Sequence, residues 1–301
     1  MQSKKLLYHI LAITIAVIWG TTFVSTKVLL ANGLAPSAIF FMRFLVAYVL
    51  LMLFYHKKVW CDSLKDELLM MTLGLTGGSV YFLTENMALQ YTTATNTSLI
   101  VCSCPLFATV LISLFFKEKF ARGQLIGGLI AFVGMVVVVL NGQFVLHLSP
   151  LGDMLAFAAC LSWAFYSLII RLLADRYSTL FINRKIFFYG LLSILPWFAV
   201  YPEEIPSVGQ LLQPQVFSNL LFLSVIASLA CYCVWTICIK QLGVLEVTNY
   251  VYLNPIATVV VAAIVLSEQI TVWFIAGSAL ILLGLYMHNR VRSRARLMGD
   301  G

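Results

Sequence analysis

The sequence predicts an all-α integral membrane protein, with ten transmembrane helices in two inverted five-helix repeats around a central cavity. Three observations predict it. Of the 301 residues 61% are apolar and only 10% charged, with a mean hydropathy of +0.97, far outside globular usage. Apolar runs of about 18–25 residues, each able to cross a hydrocarbon core of about 30 Å as a helix, follow one another with short breaks. One series also occurs twice, since Pro105, Glu118, Gly127 and Gly134 return as Pro255, Glu268, Gly277 and Gly284, 150 residues on and without a gap.

The apolar runs lie near 6–29, 36–55, 67–89, 95–116, 123–141, 151–171, 181–200, 216–239, 247–266 and 272–289. A β-barrel is excluded, because its strands would alternate in segments of about ten residues. The first run is too long for a signal peptide and lacks a small-x-small cleavage site, so it is expected to stay as the first span. The net charge of +7 does not point to nucleic acid, because the basic residues punctuate span ends instead of forming one face. Lys4, Lys5, Lys57, Lys58, Lys65, Lys117, Lys119, Arg122, Arg171, Arg176, Lys240 and the arginines from Arg290 to Arg296 all fall on one side of the predicted membrane. The opposite loops, at about 90–94, 142–150, 201–215 and 267–271, hold no Lys or Arg. By the positive-inside rule both termini are cytoplasmic. Residues 1–145 then form the first repeat, 146–290 the second and 291–301 a basic cytoplasmic tail.

The first span carries Trp19-Gly-Thr-Thr-Phe23, and its counterpart in the sixth is Trp163-Ala-Phe-Tyr166. Trp favours membrane interfaces, whereas these two sit mid-span, either lining a cavity or packing the core. Lys27 ends its span and can snorkel. Arg43 lies within the second span, where a charge costs several kcal/mol unless paired or wet, and Arg184 and Lys185 come early in the seventh. These three are either functional cations or anchors reaching the interface.

The third span holds the most unusual polar cluster, from Gly77 through Tyr81 to Glu85 and Asn86. A carboxyl in hydrocarbon either faces a wet cavity or stays protonated, so Glu85 is a functional candidate; the alternative is that it reaches the outer surface. The second repeat sets Tyr232 against Tyr81 and Trp235 or Thr236 against Glu85, so the charge is not part of the repeated scaffold.

Hydroxyl and amide residues crowd the turns before the fourth and ninth spans, including Asn96 and the matching Glu246, with Thr248 and Asn249. Pro105 and Pro255 remove a backbone donor and should release the carbonyls of Val101 and Val251, bending both helices as matched hinges. Glu118 and Glu268 precede the fifth and tenth spans, where a carboxylate favours the helix N-terminus that follows. Gly123, Gly127 and Ala131 put small residues at four-residue spacing, a packing face and a candidate dimer face.

The seven cysteines lie mostly within spans and form no disulfide framework. The two Cys-x-Cys pairs do not make a metal site, because positions i and i+2 of a helix point apart. No cofactor is called for, and no phosphate-binding loop appears.

A repeat of five spans that begins in the cytoplasm must end outside, so its second copy runs upside down. Inverted repeats suit secondary transport, because two mirror arrangements of the halves give inward-open and outward-open states of similar energy. In the Trp19-Gly-Thr-Thr-Phe23 opening, Arg43 and both Pro…Glu…Gly…Gly series, nearly the whole chain resembles the drug/metabolite transporter superfamily, and specifically its EamA-like ten-span members. That resemblance implies a basket of ten helices around a central cavity, movement of small metabolites, often amino acids outward, and residence in a bacterial inner membrane. It fixes no substrate.

The predicted cargo site gathers Trp19, Phe23, Tyr81, Glu85, Asn86, Trp163, Tyr166, Tyr232, Trp235, Asn249 and Tyr252. Its aromatics suit an amino acid or another flat, partly apolar metabolite. With Glu85 they also suit an organic cation or drug, while a nucleotide-linked sugar would ask for more cavity cations than Arg43. Expected partners are membrane lipid and a small-molecule substrate, with protons as a coupling ion and a homodimer as further possibilities. An intramembrane enzyme would need a convergent catalytic set, yet His9, His56, His147 and His288 all lie at span ends. A channel would need a polar pore ring, which is not evident.

Overall fold

The computed structural model describes residues 2–55, 58–117, 122–140, 149–266 and 271–299. Glu118, Glu268, His56, His147 and the side chains of the tail arginines lie outside the described residues.

Among the described residues there is helix and no strand, and the helices follow the predicted segments in order. The first half comprises α1 (Gln2–Ala31), α2 (Pro36–Phe54), α3 (Leu64–Gly74), α4 (Val80–Tyr91), α5 (Ala94–Val101), α6 (Cys104–Phe116) and α7 (Arg122–Leu140). The second comprises α8 (Pro150–Leu173), α9 (Thr179–Val200), α10 (Val208–Leu211), α11 (Pro214–Leu221), α12 (Cys231–Leu242), α13 (Val244–Thr248), α14 (Asn254–Leu266) and α15 (Val272–Gly299). Six stretches are long and apolar enough to cross a membrane: Lys5–Ala31, Pro36–Phe54, Ala94–Phe116, Pro150–Leu173, Pro214–Leu242 and Val244–Val265. Thr179–Val200 joins that set with the helix that bends away after it, and Leu125–Val138 and Val272–His288 are shorter apolar helices. The rod formed by α3 and α4 is helical throughout but is not among these, being diluted by Lys65, Asp66, Glu67 and Glu85.

Local chemistry sets the breaks. Gly33, at φ +81°, takes the left-handed conformation that ends α1, and Pro36 opens α2 where its missing N–H costs nothing. Both helices are interrupted just before the prolines expected to act as hinges. Cys102 and Ser103 form a turn before Pro105, and residues Asn249–Leu253 wind as a tighter 3-10 helix before Pro255.

Two wide π-turns, Leu75–Ser79 between α3 and α4 and Phe222–Ala230 between α11 and α12, fall at matching places. Each lends a carbonyl to the other half of the chain. Gly77 O accepts from Tyr232 Oη at 2.6 Å, and Ala227 O accepts from Trp19 Nε1 at 2.9 Å.

The packing crosses between halves, with α4 against α8, α1 against α12 and α14, and α6 against α8. The tightest seam is α7 on α15. A Cβ added to Gly134 would lie 2.7 Å from Gly277 O, and one on Gly284 would lie 2.5 Å from Gly127 O. Because 127 meets 284 and 134 meets 277, the two helices run in opposite directions, backbone against backbone. The small-residue face expected to serve a dimer is thus spent within the chain.

One end is stapled by charge. Asp66, fully buried, accepts from Arg176 Nη1 at 2.5 Å and from Tyr177 Oη at 2.7 Å. Lys185 and Tyr189 both bond to Glu67, and Arg184 donates to the carbonyls of Tyr55 and Val59. Arg184 and Lys185 are therefore anchors of the 55–67 connection and stand away from the cavity described next.

Candidate functional site

The half-crossed packing leaves a cavity where the two halves meet, lined from α1 by Trp19, Thr22 and Phe23, and from α2 by Arg43. α4 adds Tyr81, Phe82 and Glu85, α8 adds Trp163, and Tyr232 comes from α12. The broken helices complete it with Val101 and Cys104 on one side and Val251 and Asn254 on the other, residues four and one before each hinge proline.

Its centre is an aromatic quartet, one Trp–Tyr pair built twice. Trp19 packs on Tyr232 with ring centroids 5.8 Å apart, Trp163 packs on Tyr81 at 5.0 Å, and the two tryptophans meet edge to face at 5.3 Å. Such pairs add about 0.5–1.5 kcal/mol each beyond the area they bury, so the walls are stiff. The space they leave is about 20 Å³ as measured by the centre of a water molecule, room for about one water. A metabolite needs the cavity to widen.

Charge is held on one wall. Arg43, 1% exposed, donates through Nε to Ser228 Oγ at 2.9 Å, and its guanidinium carbon stands 4.1 Å from the centre of the Phe82 ring. Glu85, 5% exposed, has Tyr81 Oη 3.4 Å away. The two opposite charges line one cavity without closing on each other as an ion pair. Trp163 Nε1 and Asn254 Oδ1 are buried there without a hydrogen-bond partner. The cavity thus offers donors at Arg43 and Trp163, and acceptors at Glu85 and Asn254.

Of the residues expected from sequence, Trp19, Phe23, Tyr81, Glu85, Trp163 and Tyr232 come together as cavity lining. Tyr166 and Trp235 form the layer behind, with centroids 4.6 Å from Trp163 and 4.7 Å from Trp19 respectively. Tyr252 is buried beside Val251 but is not part of the lining. Two expected residues are turned to other tasks. Asn86 donates to Pro36 O at 3.0 Å, holding the start of α2, and Asn249 Nδ2 meets His288 Nε2 at 2.8 Å, tying the 3-10 turn to α15. Sequence reasoning left Arg43 open, named Val101 and Val251 for their released carbonyls alone, and missed Thr22, Phe82, Cys104 and Asn254. The fixed offset of 150 from Val101 and Cys104 to Val251 and Asn254, next to the prolines, is the signal that could have placed those four in the lining.

Fold and cavity together define a multi-pass membrane protein with an internal polar-aromatic cavity between its two halves. The sequence model of the EamA-like transporter family matches residues 6–140 and again 150–290, and the chain belongs to that family. It is 28% identical to a "Probable amino-acid metabolite efflux pump" of Salmonella typhimurium, over 96% of this chain and 98% of that one. An Escherichia coli protein of the same description is 26% identical over 93% of each. An "Uncharacterized transporter" of Archaeoglobus fulgidus is 28% identical over 95% of this chain and 98% of its own. A solved crystal structure superposes with TM-score 0.75 over 94% of this chain and 98% of its own; at 17% identity it bears on the fold alone. The role is transport rather than catalysis.

Proposed function

We propose that the protein exports a small zwitterionic metabolite, an amino acid or close relative, across a bacterial inner membrane by alternating access. The observation that carries this is the pairing of Arg43 and Glu85 in one aromatic cavity. A carboxylate suits the guanidinium, an ammonium suits the carboxylate and the ring walls, and a zwitterion leaves neither charge buried and unpaired. A net cation would meet Glu85 and the rings favourably but leave Arg43 opposed, which disfavours the organic-cation reading. The outward direction follows the efflux role ascribed to the Salmonella and Escherichia relatives.

Alternating access rests on ten spans in two inverted repeats, both termini cytoplasmic. What supports it is the twofold match of the family model, the opposed run of α7 and α15, and the crosswise exchange of carbonyls between π-turns. Proteoliposomes loaded with neutral L-amino acids should show saturable counterflow that the Arg43→Gln variant loses. Reporters after residue 301 and within 201–215 should read inside and outside respectively. Absent counterflow across a neutral amino-acid panel removes the cargo reading, and an outside C-terminus removes the inverted repeat.

A further inference from the structure

We propose that Asn254 is the residue that reads the nitrogen end of the cargo, accepting a hydrogen bond from a ligand N–H on its amide oxygen. The proposal rests on the transport reading above and assigns a polar contact to the hinge itself. Asn254 is 5% exposed and lines the cavity, yet its Oδ1 has no partner. A buried unpaired acceptor keeps its full desolvation penalty, so a structural purpose would be better met by an apolar side chain. The cavity has room for about one water, which can serve the oxygen until a ligand donor displaces it.

The residue is also rigidly presented. Its backbone carbonyl accepts from Thr258 Oγ1 at 3.0 Å, and a Cβ on Gly20 would sit 2.4 Å from that same carbonyl, so α1 and α14 clasp it backbone to backbone. Thr258 Oγ1 reaches Gly20 O as well, at 2.8 Å. Asn254 immediately precedes Pro255, so a ligand bonded there pulls on the break between the 3-10 turn and α14.

The first half supplies the contrast. The matching residue, 150 positions earlier and equally in the lining, is Cys104, a weak hydrogen-bond partner. Two breaks at matching positions therefore face the cavity, and at these two positions only Asn254 carries a strong acceptor. Together with Glu85 it gives the ammonium two acceptors on different helices, leaving the carboxylate to Arg43.

The test uses the full chain in proteoliposomes exchanging labelled L-phenylalanine, with 3-phenylpropanoate, which lacks the amine, and 2-phenylethylamine, which lacks the carboxylate, as competitors. Wild type should favour L-phenylalanine over both by about tenfold or more. Asn254→Leu should cut the preference over 3-phenylpropanoate at least about fivefold and leave that over 2-phenylethylamine unchanged. Asn254→Asp, which keeps the acceptor, should retain the amine preference. The melting temperature of the ligand-free Leu variant should be equal to or above that of wild type, since an unpaired acceptor is removed; a fall would mark Asn254 as structural and overturn the proposal. Equal amine preference in wild type and Asn254→Leu, or loss of it in Asn254→Asp, overturns it too. If wild type exchanges neither L-phenylalanine nor any other neutral L-amino acid, the amino-acid reading fails and takes this one with it, an outcome distinct from failure of Asn254 alone.

Discussion

His9 and Asp153 stand 144 residues apart, the spacing that also separates Trp19 from Trp163, and each bonds to the turn that opens the broken rod of the other half. Asp153 Oδ1 accepts from Asn96 Nδ2 at 2.5 Å, while His9 Nε2 lies 3.7 Å from Glu246 Oε1 and its Nδ1 2.8 Å from Tyr250 Oη. Asn96 and Glu246 are themselves 150 apart. One interlock is therefore built twice, once with a neutral amide and once with a histidine, near the N-terminal ends of α1 and of α8. With Cys104 as the sole cysteine, Asn96→Ala should raise its labelling by an impermeant maleimide from the outer side at least about threefold. Glu246→Ala should do so from the inner side. Equal labelling from both sides in both variants would show that these contacts do not govern access.

The α7–α15 seam gives a sharper stability test. Gly134→Ala places a methyl 2.6 Å from Ile281 N, so the helices must part, at a cost of about 1–3 kcal/mol. Gly128, on the same helix, has nothing within 4 Å of its added Cβ, and Gly128→Ala should be neutral or slightly stabilising through helix propensity. Thermal melts of the two variants in detergent should separate clearly. Matching melts would mean that the seam yields freely.

The internal duplication, the two helix breaks and most aromatic lining were legible because they are written as spacing. Pro105 and Pro255 announce their breaks through a missing N–H, and Trp19 and Trp163 stand out as tryptophans away from the interface. The π-turns were not legible. Gly77-Gly78 hints at the first, admitting the Tyr166 and Phe44 rings against the backbone, but Phe222–Ala230 has no glycine and widens without a local signature. For Asn86 and Asn249 there was no such guide, because an amide in an apolar segment looks the same whether it serves a ligand or a helix end. Their partners, Pro36 O and His288, lie 50 and 39 residues away, beyond any local pattern.

Acid should release the charged end. Burial alone would raise the Asp66 carboxyl, but the hydrogen bonds from Tyr177 and Ser63 and the Arg176 guanidinium outweigh it and hold Asp66 below its ordinary value of 3.8. With a depressed folded value, its contribution is fully present above the unfolded value and is lost as pH falls through the lower folded one. Asp66→Asn should therefore cost about 1–3 kcal/mol at pH 7, and the gap to wild type should stay flat down to about pH 4 and close below it. Melting wild type and variant across that range checks this. A gap that shrinks already between pH 7 and 5 would contradict the assignment.

Pro105→Ala and Pro255→Ala should each heal one break and favour one face of the carrier. Counterflow should fall several-fold while melting shifts little, since both prolines already sit in a first helical turn where no N–H is needed. Cys104 labelling should then become lopsided between the two sides of the membrane. Unchanged labelling in both variants would reduce the prolines to tolerated kinks.

Glu85 is the cavity carboxylate that the other half does not repeat, since the position matching it at the Tyr81–Tyr232 spacing is Thr236, bonded to Asn183 and to Tyr232 O. A carboxylate whose hydrogen-bonding neighbour is Tyr81 Oη at 3.4 Å, and which shares the cavity with Arg43 without closing on it, is free to take either a ligand ammonium or a proton. Glu85→Gln mimics the protonated acid at nearly equal volume. If protons drive export, the variant should lose accumulation against a gradient yet keep exchange at near wild-type rate. If Glu85 binds the ammonium alone, the half-saturating concentration should instead rise about tenfold, a loss of about 1.4 kcal/mol, with the pH profile of flux unchanged. Both arms are read in proteoliposomes with and without an imposed pH gradient. Wild-type affinity, accumulation and pH profile together in Glu85→Gln would remove this residue from the cargo site, leaving Asn254 and the aromatic walls to meet the nitrogen end of the substrate.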